Sequence, residues 1–192
     1  MPELILASTS SYRRALLERL GIAFRCLAPL VDEEAFKDTD ATPRSLAAGL
    51  ARRKAESVSA AAPRAVVVGG DQVVAFEGRI FGKPGETGRA VEQLLALSGR
   101  PHELITAVAV VHPGGVFDYT DVTTLWMRAL DRAAVERYVA ADSPLDCAGS
   151  YKLEQRGIAL FDRIESADHT AVTGLPLIAL TTILRNLGFA IP

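Results

Sequence analysis

Cysteine is scarce in this chain: two in 192 residues, Cys26 and Cys147. Two thiols exclude a disulfide framework and a zinc site of the repeated C-x-x-C kind, and both are expected as buried thiols in a reducing compartment. Neither sign of charge prevails. Against 21 Lys and Arg stand 23 Asp and Glu, a net charge of -2, which excludes a nucleic-acid coat and an anionic membrane as partners. Any phosphate must then be held by locally placed cations. Long apolar runs are missing, and nothing approaches the roughly 18 residues of a transmembrane helix. No basic residue precedes the short run Leu4-Ile5-Leu6, so the N-terminus does not read as a signal peptide. A soluble, cytoplasmic protein is expected. Two catalytic signatures are absent as well: there is no Walker A sequence, and His102, His112 and His169 have no Gly-x-Ser-x-Gly partner.

What is present is 49% hydrophobic and 23% charged, the balance of a globular protein large enough for a sizeable core. Leu4 to Ala7 reads as a buried strand, followed by the hydroxyl cluster Ser8-Thr9-Ser10-Ser11 and a helix over 12–20. Ser10 or Ser11 suits the N-cap and Gly21 the stop. A second strand is expected over 23–27 and a long helix over 43–60, opened by Pro43. Val66-Val67-Val68 is an apolar β-branched run without alternation, the mark of a strand buried on both faces. Gly69 and Gly70 cut it, placing Asp71 at its carboxyl end, where open α/β sheets bind ligands. A hairpin over 73–76 and 79–81, a helix over 87–97, a long hairpin over 102–111 and 116–127, a helix from Asp131 to about 140, a strand over 158–164 and a helix over 177–187 complete the pattern. With no internal repeat and no low-complexity linker, this predicts an α/β protein, one domain or two closely joined lobes, with a mixed, twisted sheet flanked by helices.

Odd polar residues gather in the loops. Arg13 and Arg14 fall in the first turn of a helix, where cations oppose the macrodipole; an anion bound there would offset that cost. Adjacent helix positions point about 100° apart, so the two need not serve one group. Asp32-Glu33-Glu34 is either a solvated run or a source of the one or two carboxylates that a divalent cation on a triphosphate needs. The polar stretch 37–42 is expected to be mobile. Lys54 is a cation on or beside an apolar helical stripe, either snorkelling to water or reaching a ligand. Lys83 is confined between Gly82 and Pro84. Ser8, Arg13, Arg14, Lys54 and Lys83 could hold phosphate, while Glu33 and Asp71 supply carboxylates. Cleavage of a phosphoanhydride uses that set, with cations and a metal on the phosphoryl oxygens and a carboxylate to deprotonate water. By pattern alone the reading ends at a nucleotide or phosphate-ester site.

The motifs Leu4-Ile-Leu-Ala-Ser-Thr-Ser-Ser-Tyr-Arg-Arg, Val31-Asp-Glu, Gly69-Gly-Asp-Gln, Gly82-Lys-Pro, Leu97-Ser-Gly, Ala148-Gly-Ser-Tyr and Gly174-Leu-Pro-Leu follow one another in this order. In that order the chain resembles the Maf family over essentially its whole length. The resemblance implies a single Maf-like domain over 1–192, with a fold similar to inosine triphosphate pyrophosphatases, two lobes and a site in the cleft between them. It also implies a homodimer and a metal-dependent (Mg or Mn) nucleoside triphosphate pyrophosphatase, in a family earlier associated with inhibition of septum formation. On it, Asp71 matches the proton acceptor for the attacking water. Ser8, Arg13, Arg14, Lys54 and Lys83 match the triphosphate cradle, and Glu33 the carboxylate near the metal. Two departures stand out: Ser11 where the family often has Pro, and Gly70 where it often has Ser, which is expected to loosen the aim of Asp71.

Three positions, Tyr12, Gln72 and Glu154, differ from those of the family branch that cleaves dTTP and UTP. Together with Pro144-Leu-Asp-Cys-Ala-Gly-Ser-Tyr-Lys-Leu-Glu they resemble the 7-methyl-GTP branch. The chemistry agrees. A 7-methylguanine base is cationic and suits an aromatic face such as Tyr12, and its N1–H and 2-amino group suit a carboxylate such as Glu154. The expected activity is hydrolysis of 7-methyl-GTP to 7-methyl-GMP and pyrophosphate. The alternatives are the same chemistry on dTTP, UTP or other modified nucleotides, and a nucleotide-binding regulator of septum formation.

Overall fold

Glycine at position 69 decides how helix and sheet meet in the computed structural model of the chain, which describes residues 2–33 and 41–192. Strand β1 (Leu4–Ala7) pairs in parallel with β2 (Arg25–Leu27) on one side and with β3 (Val66–Phe76) on the other. Residues alternate between the two faces of these strands. Leu4, Leu6, Val66 and Val68 pack with Leu16, Leu17, Leu180 and Leu184, from helices α1 (Ser11–Glu18) and α5 (Leu177–Asn186). Ile5, Ala7 and Val67 face the other way, onto Ala55 and Val58 of α2 (Pro43–Ser59). Gly69 continues that second face. A Cβ there would collide with the Ala51 carbonyl and stand 2.7 Å from Ala55 N. Only glycine therefore lets α2 lie this close to β3.

The remaining elements are β4 (Arg79–Phe81), α3 (Thr87–Leu97), β5 (Pro101–His112), β6 (Gly115–Met127), α4 (Arg132–Asp142) and β7 (Phe161–Glu165). Hydrogen bonding orders the strands β2-β1-β3-β5-β6-β7, with β4 on β3. The sheet is mixed, as expected: β1 pairs in parallel with β2 and β3, whereas β3–β4 and β6–β7 are antiparallel. No described helix is long and apolar enough to cross a membrane.

The chain divides into two compact units, and β3, β5 and β6 each contribute residues to both. The first unit comprises Met1–Asp71, Thr106–Asp121 and Asp168–Pro192. In it α5 begins after Pro176, which cannot cap it. Two buried side chains from upstream take over: Asp168 Oδ2 accepts from Ile178 N at 2.7 Å, and Thr170 Oγ1 from Leu177 N at 2.9 Å. The second unit comprises Gln72–Ile105 and Val122–Ala167. There α3 buries Ala90, Val91, Leu94 and Leu97, α4 buries Val135, Tyr138 and Val139, and the two helices touch. Glu77 and Gly78, both at positive φ, turn β3 into β4.

Several expectations need correction. β3 does not stop at Val68 but runs unbroken through Gly69, Gly70 and Asp71 to Phe76. The last strand starts at Phe161, not Ile158, because Arg156–Leu160 winds into a 3-10 segment. The second strand is only Arg25–Leu27. It lies at the sheet edge, and Cys26 is exposed there, while Cys147 is half-buried; neither is the buried thiol expected. Glu34 and residues 37–40 of the segment expected to be mobile lie outside the described residues.

Candidate active site

Asp71 shares a strand face with Gly69 by the period of two, and that face meets α2. The close approach allowed by Gly69 brings Lys54 to it. Lys54 Nζ donates to Asp71 Oδ1 at 2.7 Å, with both side chains buried. The same ammonium stands 2.8 Å from Glu33 Oε1, whose side chain is half-exposed. Lys54 thus does not snorkel to water; it bridges two carboxylates. Burial pushes the Asp71 carboxyl above the usual carboxylate range, and Lys54 and then Arg13 pull it back.

Gly70 points to the opposite face. A Cβ there would lie 3.2 Å from both Arg13 Nε and Leu175 Cδ2. The position is closely surrounded, so a side chain here would need its neighbours to give by a few tenths of an ångström. Arg13 Nε donates to the Gly174 carbonyl at 3.0 Å. Burial works against the Arg13 charge, while Asp71 and Glu33 favour it, and a guanidinium stays protonated under such opposing influences. Gly174 is not among the site residues expected from the sequence, and the one signal that pointed to it is the motif Gly174-Leu-Pro-Leu that it opens; its φ of 122° is seen only in the structure.

Arg13 and Arg14 part company, as their angular separation on the helix demands. Arg14 Nε donates to Glu18 Oε1 at 2.9 Å on the exposed side of α1, so the structure does not bring Arg14 to the Asp71 cluster. Ser8 is buried, and its Oγ accepts from Ser10 N at 3.1 Å. Ser10 in turn caps α1 by accepting from Arg13 N. Tyr12 is half-buried in the first turn of α1. The first unit therefore brings together Glu33, Lys54, Asp71 and Arg13, with the Ser8 loop tied to the helix that carries Arg13. The second unit holds Gln72, half-buried next to Asp71 in β3, together with Lys83 and Glu154, both exposed.

Among the described residues no group of three or more His, Cys, Asp or Glu is placed to cage a metal ion. The donor set still fits magnesium or manganese. Glu33 and Asp71 both offer oxygen to one cationic centre, the Lys54 ammonium, and a hard cation on a nucleotide needs only one or two carboxylates besides the phosphates.

A family model for Maf-like proteins matches residues 3–187. The chain is 54% identical over 184 residues to a 7-methyl-GTP pyrophosphatase of Bdellovibrio bacteriovorus, covering 96% of both. It is 50% identical over 192 residues to a 7-methyl-GTP pyrophosphatase of Xanthomonas axonopodis pv. citri, covering the whole of both. Among solved structures it is similar in fold to the Ham1 protein of Staphylococcus aureus, at 14% identity and a TM-score of 0.50, covering 96% of this chain and 99% of that one.

Proposed function

The chain belongs to the Maf family, and from that premise we propose that it is a nucleoside triphosphate pyrophosphatase that hydrolyses 7-methyl-GTP to 7-methyl-GMP and pyrophosphate. The observation that carries this reading is the buried Asp71 carboxylate gripped by Lys54. Water attacks the α-phosphorus, a new P–O bond forms, and the bond to the bridging oxygen of the β-phosphate breaks. Asp71 takes the proton from that water. Its burial keeps it a better base than an exposed aspartate, while Lys54 keeps it ionised. Lys54 and Arg13 offer charge to the phosphoryl oxygens, and Ser8 and Lys83 serve the remaining phosphates. Arg14 would have to leave Glu18 to join them.

We assign a divalent cation, Mg or Mn, to Glu33, with the nucleotide's phosphates as its further oxygen ligands. A triphosphate brings about four negative charges, whereas Lys54 and Arg13 are already balanced by Asp71 and Glu33. The cluster has no surplus positive charge without a metal, which when bound neutralises phosphate charge. Tyr12 contributes an aromatic face for the cationic base, Glu154 a carboxylate for its N1–H and 2-amino group, and Gln72 the third selecting side chain. The family resemblance further supports a cytoplasmic homodimer, which sedimentation of the purified chain tests.

Pyrophosphate release from a panel of nucleoside triphosphates, each with Mg or Mn, tests the reading. Fastest turnover of 7-methyl-GTP is expected. Preference for dTTP or UTP would overturn the substrate, and no release from any nucleotide would overturn the activity.

A further inference from the structure

We propose that Gln93, on α3, is a positioning residue that locks the turn carrying Lys83 to the loop carrying Glu154. The assignment rests on the pyrophosphatase reading above, because it is that reading which gives Lys83 to phosphate and Glu154 to the base.

The half-buried Gln93 amide makes two hydrogen bonds in opposite directions. Nε2 donates to the Gly82 carbonyl at 3.3 Å, and Oε1 accepts from Ser150 Oγ at 2.6 Å. The Gly82 carbonyl can only accept, so it fixes which way the amide faces and leaves the amide oxygen for the serine hydroxyl. Gly82 is the residue before Lys83, and Ser150 lies four residues before Glu154. A second tie joins the same two segments, since Gly85 N donates to the Leu145 carbonyl at 3.0 Å.

The Ser150 end is not a loose surface loop. Ser150 is completely buried yet has φ 65°, and Gly149 before it has φ 73°. A non-glycine residue persists in the left-handed region only where its surroundings over-determine it. Those surroundings are on hand: a Cβ on Gly149 would stand 2.7 Å from Val74 Cγ2 and 2.8 Å from Tyr151 Cε1. Beyond Ser150, Lys152 N donates to Tyr138 Oη at 2.8 Å, and the Lys152 carbonyl accepts from Gln155 N and Gly157 N, both at 3.1 Å. The backbone from Ser150 to Glu154 is therefore held at both ends, and Gln93 connects it to the Lys83 turn. A glutamine that merely filled a polar slot beside α3 would not need partners on both of these segments.

The full-length enzyme with Mg is assayed as wild type, Gln93→Glu, Ser150→Ala, Lys83→Ala, Glu154→Gln and the doubles Gln93→Glu/Lys83→Ala and Ser150→Ala/Glu154→Gln. Glutamate keeps an acceptor for Ser150 but loses the donor to Gly82. Gln93→Glu should raise KM for 7-methyl-GTP and GTP alike, by about threefold to tenfold for one lost hydrogen bond, and add nothing to Lys83→Ala. Ser150→Ala should instead lower the preference for 7-methyl-GTP over GTP by about threefold to tenfold, and add nothing to Glu154→Gln. Unchanged KM and preference, or full additivity in both doubles, overturns the positioning role while the pyrophosphatase reading stands. A wild type that releases no pyrophosphate overturns that reading and this assignment with it.

Discussion

Lys54 Nζ lies 2.7 Å from Asp71 Oδ1, and each side chain is only 9% exposed. Breaking a buried pair on one side leaves a charge without compensation, which costs about 3–5 kcal/mol. Lys54→Met is expected to destabilise the protein by that order, and adding Asp71→Asn in the same chain should recover most of the loss. Denaturant midpoints of the two single variants and the double measure this. Purely additive losses would mean that the pair is not coupled.

If Asp71 is the base as proposed, its ionisation sets the acid limb of turnover. Burial raises its pKa first, with Lys54 and Arg13 opposing. A base must be deprotonated to act, so activity should fall on acidification at a higher pH than an exposed aspartate would dictate. Asp71→Asn should reduce kcat by about 10²–10⁴-fold while nucleotide binding persists. Pyrophosphate release against pH and calorimetric binding of the nucleotide separate the two effects. Normal turnover in the asparagine variant would remove Asp71 from the mechanism.

The proposed function divides base selection between an aromatic, Tyr12, and an acid, Glu154. Tyr12→Ala removes a face worth up to about 2 kcal/mol to a dry cationic base, and Glu154→Gln removes the charge from a pair of charge-assisted bonds. Each variant should lose about tenfold or more of the preference for 7-methyl-GTP over GTP and UTP. The ratio of kcat/KM values across the three nucleotides measures it, and an unchanged profile would sink the base-recognition argument.

The signals that sequence carried were those of pattern. The valines before Gly69 marked a strand, Lys54 stood out on an apolar stripe, and Arg13 and Arg14 stood out against a helix dipole. What stayed hidden depends on contacts between distant parts of the chain. Gly69 and Gly70 look like a strand break because glycine is a poor strand former. The helix that needs Gly69 bare lies 14 to 18 residues earlier, and Leu175 beside Gly70 is more than a hundred residues later. The split between Arg13 and Arg14 hangs on Gly174 and Glu18, neither of which carries a motif for holding an arginine. Cys26 is expected to be buried from cysteine count alone, which carries no information on position in a sheet; the edge position that exposes it is a property of strand order.

His102 supplies a test of the second unit that is independent of catalysis. It is buried between two rings, with centroids 5.7 Å from Tyr151 and 5.9 Å from Phe161, and its Nε2 is 3.2 Å from Tyr151 Oη. Burial lowers its pKa to about 4, against a partial rise from the backbone at Arg100. In the unfolded chain it titrates near its ordinary value, about 6.5. Between about 4 and about 6.5 the unfolded chain therefore holds a proton that the folded chain refuses, so stability rises with pH across that window and is lost on acidification. By the lower end the loss from this one group approaches about 3 kcal/mol. Urea unfolding at intervals across the window should show that slope in the wild type. His102→Phe keeps a ring between Tyr151 and Phe161 and removes the titration, so whatever its absolute stability, its dependence on pH should flatten by about one proton. An equal slope in the variant would assign the acid sensitivity to another group and leave His102 as packing alone.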